Sequence, residues 1–323
     1  MLYLLSLFSD FFTYDIPSIS CPNSYKSIST GDFYIFQCQF VSLSSSSNGG
    51  AIYGNLGDLR ALIEFCMFYN CHTTGTYMGG SVYLIASTSG GLVLNCICTR
   101  QCNCNNAHYQ SIYLQTHQFL ESRCFFVSVT ESTSSTKAHP FYLVNGHQKV
   151  ISTNSSYHST AGGTAISFYE PNTASGKYCN IFKTGFSGRS LHFAYSGGLD
   201  ICEFLYSNLV NNTIGKDTSC NVVYSNLKTT LSYCIFKNNY AKTQVICYSG
   251  TFSITYCQFD TYSYEGTAPV LSNIITGNVH TQLLTHFYTH HCDSPYEIRN
   301  TKAFSLWRPG VFLLTLVIQS LQK

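Results

Sequence analysis

Residues 49–71 read "GGAIYGNLGDLRALIEFCMFYNC". A double glycine leads into Ala51-Ile-Tyr53, and at the other end Cys66 stands two residues before Phe68, with Asn70 and Cys71 behind it. Neither end carries a catalytic signature, so the meaning of both rests on recurrence. A cysteine two residues ahead of an aromatic or apolar residue returns at Cys38, Cys66, Cys96, Cys124, Cys179, Cys202, Cys234 and Cys257. Degenerate copies at Ser155 and Thr285 complete ten, spaced 28, 30, 28, 31, 24, 23, 32, 23 and 28 residues apart. The other signal runs in phase: Ala51-Ile-Tyr53, Ser81-Val-Tyr83 and Ser111-Ile-Tyr113 lie 30 residues apart, and weaker copies follow at Phe141, Ala165, Ser190, Val222, Val245 and Val270.

A period of roughly 20–50 residues marks stacked units. In "TFSITYCQF" Phe252 and Ile254 alternate with hydroxyl residues, and Cys257 and Phe259 resume the alternation out of phase, which predicts two short strands joined by a bend. Recurring leucine-rich patterns are lacking, and a propeller blade of about 40–45 residues exceeds the repeat. The pattern predicts an all-β fold, a right-handed single-stranded parallel β-helix of the pectin-lyase-like type with about ten coils. Neighbouring parallel strands lie about 4.8 Å apart, so equivalent inward side chains stack in ladders. Cysteine then serves as a small hydrophobe beside phenylalanine. That rise slightly exceeds the Cβ separation of about 3.5–4.5 Å in a disulfide. Ladder cysteines are therefore expected as buried thiols, and any disulfides are expected to involve loop or terminal residues such as Cys21, Cys71, Cys102, Cys104, Cys220 or Cys292.

The 323 residues are 45% apolar and only 10% charged, with a net charge of +2, so the chain can bury a large core and lacks a nucleic-acid footprint. Sixteen cysteines do not by themselves settle the compartment, and the sequons at Asn154 and Asn211 give secretion only weak support. Residues 1–20 form a signal-like segment, 21–300 the β-helix domain and 301–323 a C-terminal cap or tail. The apolar run in "GVFLLTLVIQSLQK" is far shorter than the roughly 20 residues a membrane helix needs.

The repeats resemble those of the polymorphic membrane proteins of chlamydial autotransporters and of surface-protein families in parasitic protists, whose paired signature is Gly-Gly-Ala-Ile and Phe-x-x-Asn. Gly49-Gly-Ala-Ile52 matches the first motif and Phe236-Lys-Asn-Asn239 the second; Gly79-Gly-Ser-Val82 is a variant, and Phe68-Tyr-Asn-Cys71 has cysteine in place of the final asparagine. The resemblance spans residues 25–300 and implies a secreted or cell-surface protein acting in adhesion.

Three constellations bear on chemistry. Asp200 and Glu203 are the closest acid pair within one coil, without partner acids in adjacent coils, and are expected as solvated strand-edge charges. Cys96, Cys98, Cys102 and Cys104 in "CICTRQCNC" offer a thiolate set for zinc, but Cys96 and Cys98 fall on inward positions, which favours a structural role. His286, His290, His291 and Cys292 would converge only on a helix, whereas the local pattern is strand and turn. The expectation is a binding or adhesion module with no catalytic, cofactor-binding or metal residues and no cofactor, whose partner is unknown, with carbohydrate or a host-surface ligand as candidates. The alternatives are a carbohydrate-active enzyme on the same scaffold, or part of a longer surface-protein gene.

Overall fold

A computed structural model describes residues 8–19, 23–104, 111–186, 188–194, 201–215, 220–248 and 250–282. After one short turn at Phe8–Asp10, every described element is a strand, and the strands pair in parallel from coil to coil. The described residues form a parallel β-solenoid of about eight turns, close to the ten expected. The first coil shows the plan. Lys26–Ile28 lies on one face, Asp32–Phe36 on a second, Gln39–Val41 on a third and Ser44–Ser45 on a short fourth. In Gly91–Arg100 and Glu121–Thr130 the second and third faces run together as one strand.

The expected bend is present, and its cause is a single backbone conformation. Between the second and third faces stand Gln37, Phe65, Cys96, Phe126, Ser152, Tyr178, Tyr206, Tyr233, Tyr256 and Asn273, all with φ between 50° and 56°. A residue in this left-handed region turns the strand and shifts the in–out alternation, so Ile254 and Cys257 both point inward. A second corner five residues on uses Ser42, Asn70, Gln101, Glu131, Tyr157, Lys183, Asn211 and Asn238, with φ of 49–58°. The double glycine does two jobs. Gly49 has φ +71°, while a Cβ on Gly50 would lie 2.0 Å from the Gly80 carbonyl oxygen of the next coil.

One buried cluster fills the bore, and its ladders correct the expected register. The residue after the first corner runs Cys38, Cys66, Ile97, Val127, Thr153, Cys179, Ser207, Cys234 and Cys257, as the flanking pairs Gln39–Met67, Met67–Cys98, Cys98–Ser128, Ser128–Asn154, Asn154–Asn180, Asn180–Asn208, Asn208–Ile235 and Ile235–Gln258 require. Cys96 is therefore a corner residue and Cys98 points away from the bore. Cys124 and Cys202 belong to inward ladders of the strand before the bend, with partners Leu94 and Val150 for Cys124 and Ala174 and Thr229 for Cys202. Ser155 sits two positions past the ladder. Val270–Ser272 likewise belongs to the second face, stacked on Phe252–Thr255, and not to the first. A slip of this kind follows from having two inward series in one coil that differ only by the corner residue between them.

These ladders also satisfy the backbone at the corners. Ser207 Oγ donates to the Leu205 carbonyl (2.7 Å) and accepts from the Cys179 N–H (2.9 Å), while Cys257 Sγ accepts from Cys234 N–H at 3.4 Å. Cysteine thus recurs as a small side chain with a weak polar end, as well as a hydrophobe. Ser207→Val leaves the buried Cys179 N–H without its acceptor and is expected to cost about 1–3 kcal/mol, whereas Ser207→Cys costs less than half as much; urea denaturation measures both.

The Phe-x-x-Asn motif has a similar explanation. Asn239 Nδ2 donates to the Leu209 carbonyl of the preceding coil (2.7 Å), and Asn212 Nδ2 to that of Ile181 (3.1 Å). Cys71 and Cys102 occupy the same place and direct their thiols to the equivalent carbonyls of Phe40 (3.3 Å) and Phe68 (3.5 Å). The cysteine in Phe68-Tyr-Asn-Cys71 therefore takes over the role of asparagine between coils.

Two further expectations need correction. Cys38 and Cys98 each take part in a disulfide, although both are expected as ladder thiols, whereas Cys71, Cys102, Cys104 and Cys220 are reduced and buried; Cys21 and Cys292 lie outside the described residues. Cys38 is the first described rung of the ladder, and Cys98 faces away from the bore beside Met67. The stacked pairs Cys71–Cys102 and Cys234–Cys257 remain reduced, as the coil rise requires. Asn154, in one sequon, is fully buried with Nδ2 donating to Ser156 Oγ (3.0 Å), so it presents no amide to glycosylation in this fold. Asn211 is a half-buried corner residue.

Candidate functional site

The outward side of the second face carries the chemistry. Over the first coils it is covered: Phe8 packs on Tyr34, Leu62 and Val93, with Phe11, Phe12, Ile16 and Phe125 around them. Past Phe125 the face opens into a shallow groove of about 260 Å³ lined by Glu121, His147, Lys149, Thr173, Ser175, Lys177 and Glu203. Strand alternation explains the selection. In His147–Ile151 the residues Gln148 and Val150 are buried, which leaves His147, Lys149 and Ile151 outward.

Register fixes the rows of the groove. Glu121, His147, Thr173 and Ile201 stack along one row, and Arg123, Lys149, Ser175 and Glu203 along the next. Phe125, Ile151, Lys177 and Leu205 form the third, next to the corner. Arg123 pairs with Glu121 (2.5 Å), and Lys177 with Glu203 (3.0 Å). Ser175 Oγ donates to Glu203 Oε1 (2.7 Å), and His147 Nδ1 lies 2.9 Å from Thr173 Oγ1. Partial burial pushes the Glu203 carboxyl up, but the hydrogen bonds from Ser175 and Lys177 and the ammonium charge outweigh it, so it stays below the usual carboxylate range. Among the described residues no carboxylate lies within ion-pair distance of exposed Lys149.

Along the corner beside this groove stands a stack that sequence reading missed. Tyr178, Tyr206, Tyr233 and Tyr256 lie ring on ring, with centroids 5.4, 4.8 and 5.0 Å apart and planes within 16°. Tyr178, Tyr233 and Tyr256 are 39–48% exposed although each is followed by a fully buried cysteine, so the corner turns the rings out to solvent. The signal was legible as a tyrosine directly before Cys179, Ser207, Cys234 and Cys257. Cys202, before the corner, resembles a ladder cysteine and masks the place of Ser207 in the series.

The geometry bears on catalysis directly. Glu121 and Glu203 share the groove but sit three rungs apart, about 14 Å, beyond the roughly 5–9.5 Å of paired glycosidase carboxylates. An ionised Glu203 does not serve as a proton donor, and Asp200 lies outside the described residues. The four candidate zinc cysteines are not brought together: Cys96 and Cys98 pack outside the bore with Met67, and Cys102 belongs to the core. Cys104 is buried apart from them in the short strand Asn103–Cys104, its thiol pushed up to about 12 by burial. His286, His290, His291 and Cys292 lie outside the described residues.

Fold and groove define a parallel β-solenoid with one wet, mixed-charge face edged by aromatic rings. Comparison with models of known protein families, with curated proteins and with solved structures finds no match. Among the described residues no helix is long and apolar enough to cross a membrane.

Proposed function

We propose that the protein is a non-catalytic binding module, secreted or displayed at a cell surface, of the adhesion type that the polymorphic membrane protein-like repeats suggest, and that its ligand is a carbohydrate chain. The observation that carries this reading is the Tyr178–Tyr206–Tyr233–Tyr256 stack beside the groove, three of whose four rings are exposed. Rings at rung spacing offer aromatic edges and phenol hydroxyls in a row, while His147, Thr173 and Ser175 supply hydrogen-bonding groups for sugar hydroxyls. An extended glycan laid along the axis meets a new rung about every 4.8 Å, with a tyrosine ring on four successive rungs. Support for the family reading comes from Asn212, Asn239, Cys71 and Cys102, which give the second motif a common task between coils.

Oligosaccharide titration of the full chain tests the ligand class. The variant Tyr206→Asn/Tyr233→Asn keeps a corner that Asn273 already forms with φ 53°, and it is expected to weaken binding about tenfold or more. Absence of glycan binding, or unchanged affinity in the variant, overturns the reading, as does turnover of the bound glycan. Surface labelling of a tagged full-length chain tests its location.

A further inference from the structure

We infer that the groove selects an anionic glycan, one bearing uronate carboxylates or sulfates, and that Lys149 is the side chain on which an acidic group sits. This rests on the carbohydrate reading above and adds the charge of the ligand. Three cations, Arg123, Lys149 and Lys177, come from three successive rungs of one face. The groove's two acids are each engaged: Glu121 by Arg123, and Glu203 by Lys177 and Ser175. Each carboxylate thus has a cation of its own, and none lies within ion-pair distance to compensate Lys149 among the described residues.

Register places Lys149 in the middle row, between Arg123 on one rung and Ser175 on the next. It is exposed where Arg123 and Lys177 are half-buried, so its ammonium is the group that a ligand meets first. An ammonium is a point charge with three rotatable donors, and it accepts a carboxylate or a sulfate oxygen without demanding a planar partner. Thr173 Oγ1 and Ser175 Oγ lie on the adjoining rung to engage neighbouring hydroxyls. The tyrosine corner follows directly from Lys177 to Tyr178 on the rung beside Lys149, so the acid group and the apolar side of one sugar chain are served by the same face. A neutral glycan leaves Lys149 unused. Because the site is open to water, its selectivity is screened by salt.

The test is calorimetric titration of the full chain at low ionic strength with three hexasaccharides: oligogalacturonate, a heparin-derived chain and neutral cellohexaose. Both acidic chains, or one of them, are expected to bind at least tenfold more tightly than cellohexaose, and the two arms separate carboxylate from sulfate as the preferred group. Lys149→Gln is expected to remove that advantage, Lys149→Arg to keep most of it, and Lys183→Gln, an exposed cation at the second corner and off this face, to leave it unchanged. Equal affinity for the neutral chain, or an advantage that survives Lys149→Gln, overturns the anionic assignment and leaves the carbohydrate reading standing. Binding of none of the three overturns both.

Discussion

Acidification from pH 7 to pH 5 is expected to destabilise the protein steeply, because two imidazoles are held neutral inside the coil. Burial pushes the His158 pKa down to about 3, and its Nδ1 accepts the Ser132 N–H at 3.2 Å, so a second ring proton would have to face that donor. Burial likewise pulls His192 well below its ordinary value, aided by the charge of Arg189, whose Nη1 lies 3.3 Å from His192 Nε2. A guanidinium only donates, so Nε2 is the acceptor, and protonating it would set two cations side by side. Both native pKa values lie below the unfolded value of about 6.5. The unfolded chain therefore binds more protons, and stability from these groups is present above that pH and is lost as pH falls below it. Each histidine contributes a factor approaching ten in the unfolding equilibrium per pH unit, or about a hundredfold for the pair. Urea midpoints measured between pH 7 and pH 5 check this. In that window carboxylates such as Glu203, whose stabilising effect disappears only as pH falls below about 4.3, contribute little. His158→Gln should halve the slope; an unchanged slope would show that His158 is not neutral in the native coil.

The second large effect is expected at Gly176 and Phe204, which stack on adjacent rungs of one inward ladder. A Cβ on Gly176 would lie 2.3 Å from Phe204 Cδ2, so the ring occupies the space that the glycine lacks a side chain to fill. Phe204 is fully buried. Phe204→Ala should cost about 3–5 kcal/mol through lost burial and a cavity, and Gly176→Ala about 1–3 kcal/mol through overpacking. Combining Gly176→Ala with Phe204→Leu should be less damaging than Gly176→Ala and Phe204→Leu measured singly and added together, by about 1 kcal/mol or more. Chemical denaturation of the four proteins closes the cycle. Additivity would mean that the ring does not depend on the missing Cβ.

How much of this was legible in the sequence depends on which face a signal came from. The period, the parallel stacking and the bend between two strands could be read because inward residues repeat under steric demand from the coils above and below. Absolute register was harder. Cysteine and phenylalanine serve both inward series, so Cys124 and Cys202 look like Cys179 and Cys234 although they stand before the corner instead of after it. The corners carried no familiar mark, since Gln37, Phe65 and Tyr206 hold a conformation usually associated with glycine or asparagine. The groove was less legible still. Glu203 could be singled out as an acid, but its engagement by Lys177 and Ser175 depends on residues 26 and 28 positions away meeting across a coil. No local pattern in a strand reports what the next rung will place beside it.

The left-handed corners have one more consequence. Each requires a backbone shape and leaves the outward side chain unspecified, as the series from Gln37 through Phe126 and Ser152 to Tyr256 demonstrates. The corner is thus a writing edge along the rod: its letters can be replaced rung by rung while the frame that spaces them stays put. In this chain four successive letters spell tyrosine, and changing them would alter what the rod says without changing how it is built.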